Sequence, residues 1–252
     1  MEMSDVTYPK RVVVTGAASG IGKATALILR ARGSEVVAVD VNEAGLAAAA
    51  AAGCETVVCD IAQEDERARL HAAAGEVDGL VNGAGIIRVV AIPDVTDADW
   101  DAIFAVNVKA LFFLARDFGL RMGEGAAIVN VASVSAKDNS TTEVLPYGSS
   151  KAAVHAITRG LANHLGPAGV RVNAVLPGII DTPMQDNLVV DIAAIRGVDP
   201  AALHRQRLQT IALQNRAGSP EDTADVIAFL LSSAARYVTG QALAVDGGQI
   251  MQ

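Results

Sequence analysis

Short runs of β-branched residues alternate along this 252-residue chain with longer segments in which alanine and leucine recur at helical spacing. The short runs have the length of buried strands, and the longer segments have the length of helices. Strands that are linked through helices lie parallel, with right-handed crossovers and helices on both faces of the sheet. We therefore predict an α/β fold with a doubly wound, mainly parallel sheet of seven strands. The predicted strands are residues 11–15, 35–40, 56–60, 79–82, 126–132, 170–176 and 242–245.

Helix signals lie between these strands, and two of the helices have recognisable N-caps. Thr96 is the predicted cap of a long helix with an acidic first turn, and Ser219 caps a helix with Pro220 at its first position. Residues 181–217 lack a strong strand pattern and are predicted to leave the core. No break in composition divides the chain, so we expect a single domain over residues 1–252. The predicted helices are 21–31, 43–52, 64–73, 97–122, 147–165, 200–212 and 220–231.

The composition argues against several classes of function. Hydrophobic residues make up 51% of the chain and charged residues 19%, as expected for strands covered on both faces. The net charge of -8, without a basic stripe, argues against binding to nucleic acid or anionic membranes. With no signal-peptide pattern and no apolar run of about 18 residues, we expect a cytoplasmic protein. Cys54 and Cys59 are expected to be small apolar core residues.

A glycine-rich loop, residues 15–22, lies between the first predicted strand and the first predicted helix, with the spacing G-x-x-x-G-x-G. Backbone N–H groups and the helix dipole at such a position can hold a pyrophosphate. Asp40 ends the second strand, where a carboxylate can accept hydrogen bonds from ribose hydroxyls and would repel a 2′-phosphate. These features predict NAD rather than NADP. Lys23, Arg30 and Arg32 are the cations that could reverse that preference.

Tyr147 and Lys151 are one turn apart on a predicted helix, so the phenol and the ammonium project from the same face. A phenol with a reference pKa near ~10 exchanges protons at neutral pH only if something favours its anion, and a nearby ammonium does so. The pair is therefore a candidate acid/base, although ordinary exposed helices carry the same spacing.

Taken together and in chain order, these motifs resemble those of the short-chain dehydrogenase/reductase family over residues 10–248. The resemblance implies a Rossmann-type fold and an enzyme that transfers a hydride between a nicotinamide cofactor and a CH–OH group. The matching residues are the 15–22 loop, Asp60, Ile61, residues 82–85, Asn107, residues 130–133, Tyr147, Lys151, Asn173, Pro177, Gly178, Thr182 and residues 245–248.

The resemblance also implies a catalytic set of Asn107, Ser133, Tyr147 and Lys151. Tyr147 would give a proton to the carbonyl oxygen during reduction and remove it from the hydroxyl during oxidation. Ser133 would hydrogen-bond the reacting oxygen, with Ser135 as a minor rival. Lys151 would lower the pKa of the phenol and hold the nicotinamide ribose, and Asn107 would hold a water that links Lys151 to solvent.

The same resemblance implies where the nicotinamide cofactor, expected to be NAD from Asp40, would bind, and we expect no metal. Asp60 and Ile61 would flank the adenine, residues 82–85 would run beneath the adenine ribose, and Ile179 and Thr182 would meet the nicotinamide carboxamide. The implied cofactor residues are Gly16, Ser19, Gly20, Ile21, Gly22, Asp40, Asp60, Ile61, Asn82, Gly83, Ala84, Gly85, Tyr147, Lys151, Pro177, Gly178, Ile179 and Thr182.

Two features depart from the family pattern. Gly83 stands where relatives often have a second asparagine, which predicts a looser backbone at that turn. The loop that precedes Tyr147 is about one residue longer than in many relatives, and its residues 137–145 are unusually polar.

The substrate is expected to lie beneath a lid formed by residues 181–217 and this polar loop. The lid mixes apolar residues with amides, which favours a small secondary alcohol, polyol or sugar. Arg88 could contact an acidic or polyhydroxylated substrate, although a solvated loop arginine is the simpler interpretation.

The sequence thus predicts an NAD-dependent oxidoreductase that interconverts a secondary alcohol and its ketone, with Tyr147 as the acid/base. Two alternatives stay open. One is a 3-oxoacyl-thioester reductase that uses NADPH, against which Asp40 and the acidic composition count. The other is a nucleotide-binding protein without catalysis, because a fold does not fix a function. The resemblance also implies a homo-oligomer, a tetramer or a dimer, formed through helices 97–122 and 147–165.

Overall fold

All seven predicted strands lie in one parallel sheet in the computed structural model of the chain, which describes residues 6–251. The strands are β1 (Arg11–Thr15), β2 (Glu35–Asp40), β3 (Glu55–Val58), β4 (Gly79–Asn82), β5 (Ala127–Val131), β6 (Arg171–Pro177) and β7 (Ala242–Val245). Their order is β3-β2-β1-β4-β5-β6-β7, and every neighbouring pair is parallel. Because the order reverses between β1 and β4, a crevice opens at the carboxyl ends of these strands.

Helices cover both faces of the sheet, so alternate residues of each central strand enter two different hydrophobic cores. The helices are α1 (Gly20–Ala31), α2 (Ala47–Ala51), α3 (Glu64–Ala74), α4 (Asp97–Phe104), α5 (Leu111–Gly119), α6 (Leu145–Leu165), α7 (Pro183–Arg196), α8 (Pro200–Leu208) and α9 (Pro220–Leu231). Val12 and Val14 pack with α1 and α9 on one face, whereas Val13 packs with α5 and α6 on the other. This double burial explains the continuous β-branched runs in the sequence.

The predicted doubly wound fold is therefore confirmed, and the strand bounds agree with the prediction to within two residues. Pro177 was expected to follow the sixth strand, but it pairs with Val245 as the last residue of β6. The predicted N-caps are also confirmed. Thr96 and Ser219 each accept a hydrogen bond from the third residue of their helix and form capping boxes.

The long helix predicted over 97–122 is wrong in two respects: it is interrupted between α4 and α5, and it ends at Gly119. Residues Ala105–Ala110 form a π-helical segment around Asn107. The Asn107 side chain is fully buried and makes three hydrogen bonds to groups outside this helix. The pairing of a buried amide therefore accompanies a local change of helical spacing, as is common in π-bulges at functional sites.

The segment 181–217 contains two helices where one was predicted. Helix α7 begins after its N-cap, Thr182, and ends before Gly197, which is left-handed. Its apolar periodicity is blurred because Val190 and Ile195 are exposed at 55% and 44%. The helix predicted at 200–212 is α8, which ends at Leu208.

No helix among residues 6–251 is long and apolar enough to cross a membrane. Cys54 and Cys59 are buried free thiols, and burial raises the pKa of Cys59 to about 11. Both cysteines are therefore apolar core residues, as predicted.

Arg171 ties the start of β6 to the end of α9, because its buried guanidinium donates hydrogen bonds to the carbonyls of Leu230, Leu231 and Ser232. We expect Arg171→Met to lower the free energy of unfolding by about 2–4 kcal/mol, since these helix-end carbonyls would lose their donors. Urea unfolding followed by circular dichroism measures this change. The exposed Arg159→Met variant is the control and should change stability by less than about 0.5 kcal/mol; equal losses would contradict the prediction.

Candidate active site

A cleft of about 600 Å³ opens at the carboxyl ends of the strands, across the point where the strand order reverses. This is the expected place for a dinucleotide in an open parallel sheet. Every predicted cofactor residue lines the cleft except Asn82. The lining residues from that set are Gly16, Ser19, Gly20, Ile21, Gly22, Asp40, Asp60, Ile61, Gly83, Ala84, Gly85, Tyr147, Lys151, Pro177, Gly178, Ile179 and Thr182.

The glycine-rich loop folds so tightly that side chains are excluded from it. Gly16 has a φ of +72°, and a Cβ on this residue would lie 2.8 Å from the backbone nitrogen of Ala84. A Cβ on Gly22 would lie only 2.1 Å from the carbonyl oxygen of Gly16. The loop thus has bare backbone at the N-terminus of α1, which is the cradle that a pyrophosphate needs.

Thr15 fastens this loop to the next strand of the sheet. Its hydroxyl accepts hydrogen bonds from the backbone N–H groups of Gly83 and Ala84, at 3.1 and 3.2 Å. A Cβ on Gly83 would also lie 2.6 Å from the carbonyl oxygen of Thr15. The looser backbone predicted at Gly83 is therefore wrong, because this turn is tightly held and has no room for a side chain.

Asn82 is buried behind the cleft and does not line it. Its buried amide donates to Asn130 Oδ1 at 2.9 Å, and Asn130 Nδ2 in turn donates to the hydroxyl of Thr158 at 3.0 Å. This chain of hydrogen bonds links β4 and β5 to α6. Asn82 therefore helps to fix the helix that carries Tyr147.

Two carboxylates lie in the cofactor half of the cleft. Asp40, the last residue of β2, accepts hydrogen bonds from the backbone N–H groups of Ala18 at 3.1 Å and Asn42 at 3.0 Å. Asp60 follows β3 and accepts from the N–H of Ala62 at 3.0 Å. Each carboxylate is thus oriented by the backbone and also faces the cleft.

None of the three cations that could reverse the cofactor preference lines the cleft. Arg30 lies against Gly53, since a Cβ there would be 3.3 Å from its guanidinium. Arg32 pairs with Asp225 on the helix α9. The pocket around Asp40 is therefore without a basic side chain among the described residues.

Ser133, Tyr147 and Lys151 meet in the other half of the cleft. The Ser133 side chain is close enough to the Tyr147 phenol to lower its pKa. Ser135 lines the cleft too, but its backbone N–H donates to Ser133 Oγ at 3.1 Å. Lys151 Nζ lies 5.6 Å from the centroid of the Tyr147 ring and donates to the carbonyl oxygen of Val131 at 2.8 Å. The structure therefore brings Ser133, rather than Ser135, to the phenol.

Burial is the main cause of the pKa shifts of Tyr147 and Lys151. It raises the pKa of Tyr147, and the Ser133 side chain only partly opposes that rise. Burial also lowers the pKa of Lys151 to about 8. The lowered phenol pKa expected from Lys151 is thus not found in the chain alone, where the ammonium points to Val131 and the phenol to Ser133.

Asn107 does not line the cleft, although it lies just behind it. Its Oδ1 accepts from the N–H of Ile86 at 2.9 Å, and its Nδ2 donates to the carbonyl of Ile86 and to the hydroxyl of Ser150, at 2.9 and 3.0 Å. Ser150 Oγ also donates to the carbonyl of Tyr147 at 2.6 Å. Asn107 is thereby connected through one hydroxyl to the backbone of Tyr147.

The half of the cleft that contains Tyr147 is lined by the polar loop and by residues of α7 and α8. Val144 packs in one apolar cluster with Leu188, Ile192 and Leu203, and the ring of Tyr147 packs against that cluster. Gln185, which the sequence placed among the amides of the lid, lines the cleft, whereas two other polar residues of the cleft, Arg207 and Gln249, were missed. The only sequence signal was position: Arg207 lies within the predicted lid, and Gln249 directly follows the matched residues 245–248. Arg88, which had been considered for substrate contact, is exposed and does not line the cleft.

Comparison with known proteins identifies the family. A family model described as enoyl-(acyl carrier protein) reductase matches residues 16–249. The chain belongs to the short-chain dehydrogenase/reductase family. Short-chain dehydrogenases/reductases are NAD(P)-dependent oxidoreductases that act on CH–OH groups, and this protein is an enzyme of that class.

Relatives within the short-chain dehydrogenase/reductase family resemble the chain over nearly its whole length. The 3-oxoacyl-(acyl-carrier-protein) reductase of Thermotoga maritima is 34% identical and covers 96% of this chain and 98% of its own. The galactitol 2-dehydrogenase (L-tagatose-forming) of Cereibacter sphaeroides is 37% identical, with coverages of 93% and 92%. The structure of an actinorhodin polyketide ketoreductase with NADPH matches with a TM-score of 0.87 at 30% identity, covering 95% and 97%. These proteins have different substrates, so membership does not fix the substrate.

The contact between Gly22 and Gly16 provides a test of the predicted cofactor cradle. We expect Gly22→Ala to weaken NAD binding at least tenfold, because its Cβ would displace the Gly16 backbone from the loop. Calorimetric titration with NAD measures the effect. Gly160→Ala is the matched control: this exposed helical position has no atom within 4 Å of the added Cβ. Unchanged NAD affinity in Gly22→Ala, with a folded variant, would refute the cradle.

Proposed function

We propose that this protein is an NAD-dependent dehydrogenase that interconverts a secondary alcohol and its ketone, with Tyr147 as the acid/base. The observation that carries this proposal is that Ser133, Tyr147 and Lys151 line the same cleft as the glycine-rich loop. A proton donor and acceptor is thereby held beside a dinucleotide cradle. Oxidation of a CH–OH group needs that combination.

The chain's own residues divide the work of the reaction. Bound NAD would supply the hydride acceptor. Ser133 would hold the oxygen of the alcohol, and Tyr147 would take the hydroxyl proton as the carbon loses its hydride, returning a proton in the reverse direction. Lys151, with a pKa of about 8, is mostly protonated at pH 7 and would stabilise the phenolate, as well as holding the ribose hydroxyls.

We assign Asn107 to positioning the catalytic groups. All of its side-chain hydrogen bonds go to Ile86 and Ser150, and Ser150 holds the backbone of Tyr147. A Cβ on Gly85 would lie 3.3 Å from both Asn107 Oδ1 and Lys151 Nζ, so the two groups face the same glycine. The predicted water between Asn107 and Lys151 stays a prediction.

The preference for NAD over NADP is supported by the charge around Asp40. The carboxylate is fixed by two backbone N–H groups, and Lys23, Arg30 and Arg32 are all outside the cleft. A 2′-phosphate in this position would meet a negative charge without a compensating cation. The NADPH in the ketoreductase structure belongs to that protein and leaves the preference of this chain open to test.

The substrate that we propose is a small secondary alcohol, a class that includes polyols, held beneath a lid formed by residues 181–217. The galactitol dehydrogenase among the relatives supports this class. The Thermotoga maritima relative supports a second candidate, a 3-oxoacyl-thioester reductase that uses NADPH. The carboxylate of Asp40 disfavours that candidate. A homo-oligomeric state and a cytoplasmic location stay predictions.

Removing the phenol hydroxyl tests the acid/base assignment. We expect Tyr147→Phe to lower kcat by about 10²- to 10⁴-fold, the usual contribution of a positioned acid/base, while the NAD dissociation constant changes less than about twofold. Lys151→Ala should impair both quantities because Lys151 is also assigned to the ribose. The assay follows NADH formation over a panel of secondary alcohols and polyols.

Tyr237→Phe is the matched control, because that tyrosine is fully exposed. Turnover that survives Tyr147→Phe would overturn the acid/base role. A wild-type protein that binds NAD tightly but oxidises no alcohol of the panel would support the alternative without catalysis.

Neutralising Asp40 tests the cofactor preference. We expect the wild-type protein to have a kcat/KM at least about tenfold higher with NAD than with NADP, and Asp40→Asn to lose most of this ratio because the 2′-phosphate is no longer repelled. Asparagine keeps an oxygen for the N–H groups of Ala18 and Asn42. Asp101→Asn is the control, because Asp101 is an exposed residue of α4 that does not line the cleft. A higher kcat/KM with NADP in the wild-type protein would refute the preference.

A further inference from the structure

Three polar side-chain atoms in the cleft are buried without a hydrogen-bond partner among the described residues. They are Gln185 Nε2, Arg207 Nη1 and Gln249 Oε1. Buried polar groups are almost always paired, so each unpaired group needs an explanation. Gln249 Oε1 lies 2.8 Å from the position of a Cβ on Gly178, at the strand end assigned to the cofactor. The two donors, Gln185 and Arg207, come instead from the helices that cover the substrate.

Arg207 needs a binding partner more than Gln185 does, because the arginine side chain carries a permanent charge. The Nη1 atom of its guanidinium is withdrawn from water, and the pKa of Arg207 is lowered by burial first and by the nearby Arg196 second. No described carboxylate forms an ion pair with it. A partly buried cation that lacks a partner is unfavourable, and an anion bound in the cleft would offset this cost.

The buried carboxylate that precedes α6 is already neutralised by another arginine. Glu143 is buried and accepts two hydrogen bonds from Arg196, at 2.6 and 2.8 Å. Asp138 also lines the cleft, but it is exposed and both of its oxygens accept from Ser140. Neither of these two carboxylates therefore balances the positive charge of Arg207.

The position of Arg207 points to the substrate rather than the cofactor. Leu203 lies one turn earlier on α8 and belongs to the apolar cluster against which Tyr147 packs. Residues four apart share a helix face, so Arg207 extends this surface along the cleft. The cofactor half of the cleft is built from the glycine-rich loop and contains the carboxylates of Asp40 and Asp60.

We infer that the substrate is a hydroxy acid, whose carboxylate is held by Arg207 with a second hydrogen bond from Gln185. This inference rests on the proposed function and narrows its substrate class. One guanidinium and one amide fit a planar carboxylate with a single charge, whereas a phosphate monoester has about two charges at neutral pH. In the reaction the carbinol hydrogen passes as a hydride to NAD and the hydroxyl proton passes to Tyr147. The carboxylate is unchanged, and the product is an oxo acid.

A matched set of five-carbon alcohols tests this inference by kinetics with NAD. The set contains pentan-2-ol, the 2-, 3- and 4-hydroxypentanoates, their methyl esters, and a phosphate monoester of pentane-1,4-diol. We expect at least one acid to have a kcat/KM at least tenfold above those of its ester and of pentan-2-ol. Arg207→Gln should reduce this acid-to-ester ratio by about 10- to 100-fold, since a charge-assisted hydrogen bond is removed.

Arg205→Gln is the control, because Arg205 is an exposed residue of the same helix. It should leave the acid-to-ester ratio unchanged. Arg207→Lys, which keeps the charge, should retain part of the ratio if Arg207→Gln fails to fold. Esters or pentan-2-ol that react as fast as the acids would overturn the inference. A phosphate monoester as the best substrate would also overturn it.

A binding measurement keeps the inference separate from the proposed function. Pentanoate has the carboxylate but no hydroxyl, so it should bind the NAD-loaded protein without reacting. We expect calorimetry to detect saturable binding that weakens about 10- to 100-fold in Arg207→Gln and not in Arg205→Gln. Absent binding to the wild-type protein, or equal binding to both variants, would overturn the carboxylate site even if neutral alcohols are oxidised. Binding without any turnover would support the site and contradict the proposed reaction.

Discussion

The architecture of the cleft depends on a close approach of backbone at the carboxyl ends of β1 and β4. The Cα of Gly22 lies against the carbonyl of Gly16, and the hydroxyl of Thr15 holds the turn that begins at Gly83. Together these contacts fix where α1 starts and therefore where its free N–H groups point. A short-range steric requirement in one loop thus positions a charge-binding site for the whole domain.

The catalytic half is organised by buried polar side chains rather than by close backbone contacts. Asn82 and Asn130 hold the middle of α6 through Thr158, while Asn107 holds its first turn through Ser150. Buried amides whose hydrogen bonds are made within the protein are costly to displace, because each group would lose a partner in a low-dielectric interior. Tyr147 and Lys151 are therefore presented by a helix with little freedom to shift against the sheet.

The sequence was sufficient for features that arise from local patterns, and insufficient where distant packing decides. Strands that are buried on both faces consist of continuous runs of β-branched residues, and these runs predicted all seven strands. The predicted glycine loop and the Tyr147 pair both lie in the cleft. The π-helical segment at Asn107 depends on partners far along the chain, and no local spacing encodes it. Helix α7 did have cap signals, Thr182 with Pro183, but exposed apolar residues hid its periodicity. That Arg207 lacks an ion-pair partner among the described residues follows only from the three-dimensional structure.

The ion pair between Glu143 and Arg196 also connects α7 to the segment that precedes α6. Arg196 is the last residue of α7, and Glu143 precedes the first turn of α6 by two residues. The carbonyl of Glu143 also accepts from the N–H of Val90, in the segment that follows β4. The end of α7 in the proposed lid is thus tied to the start of α6, the helix that carries Tyr147. An outward movement of α7 would break this ion pair, so opening of the proposed lid would be coupled to the position of Tyr147.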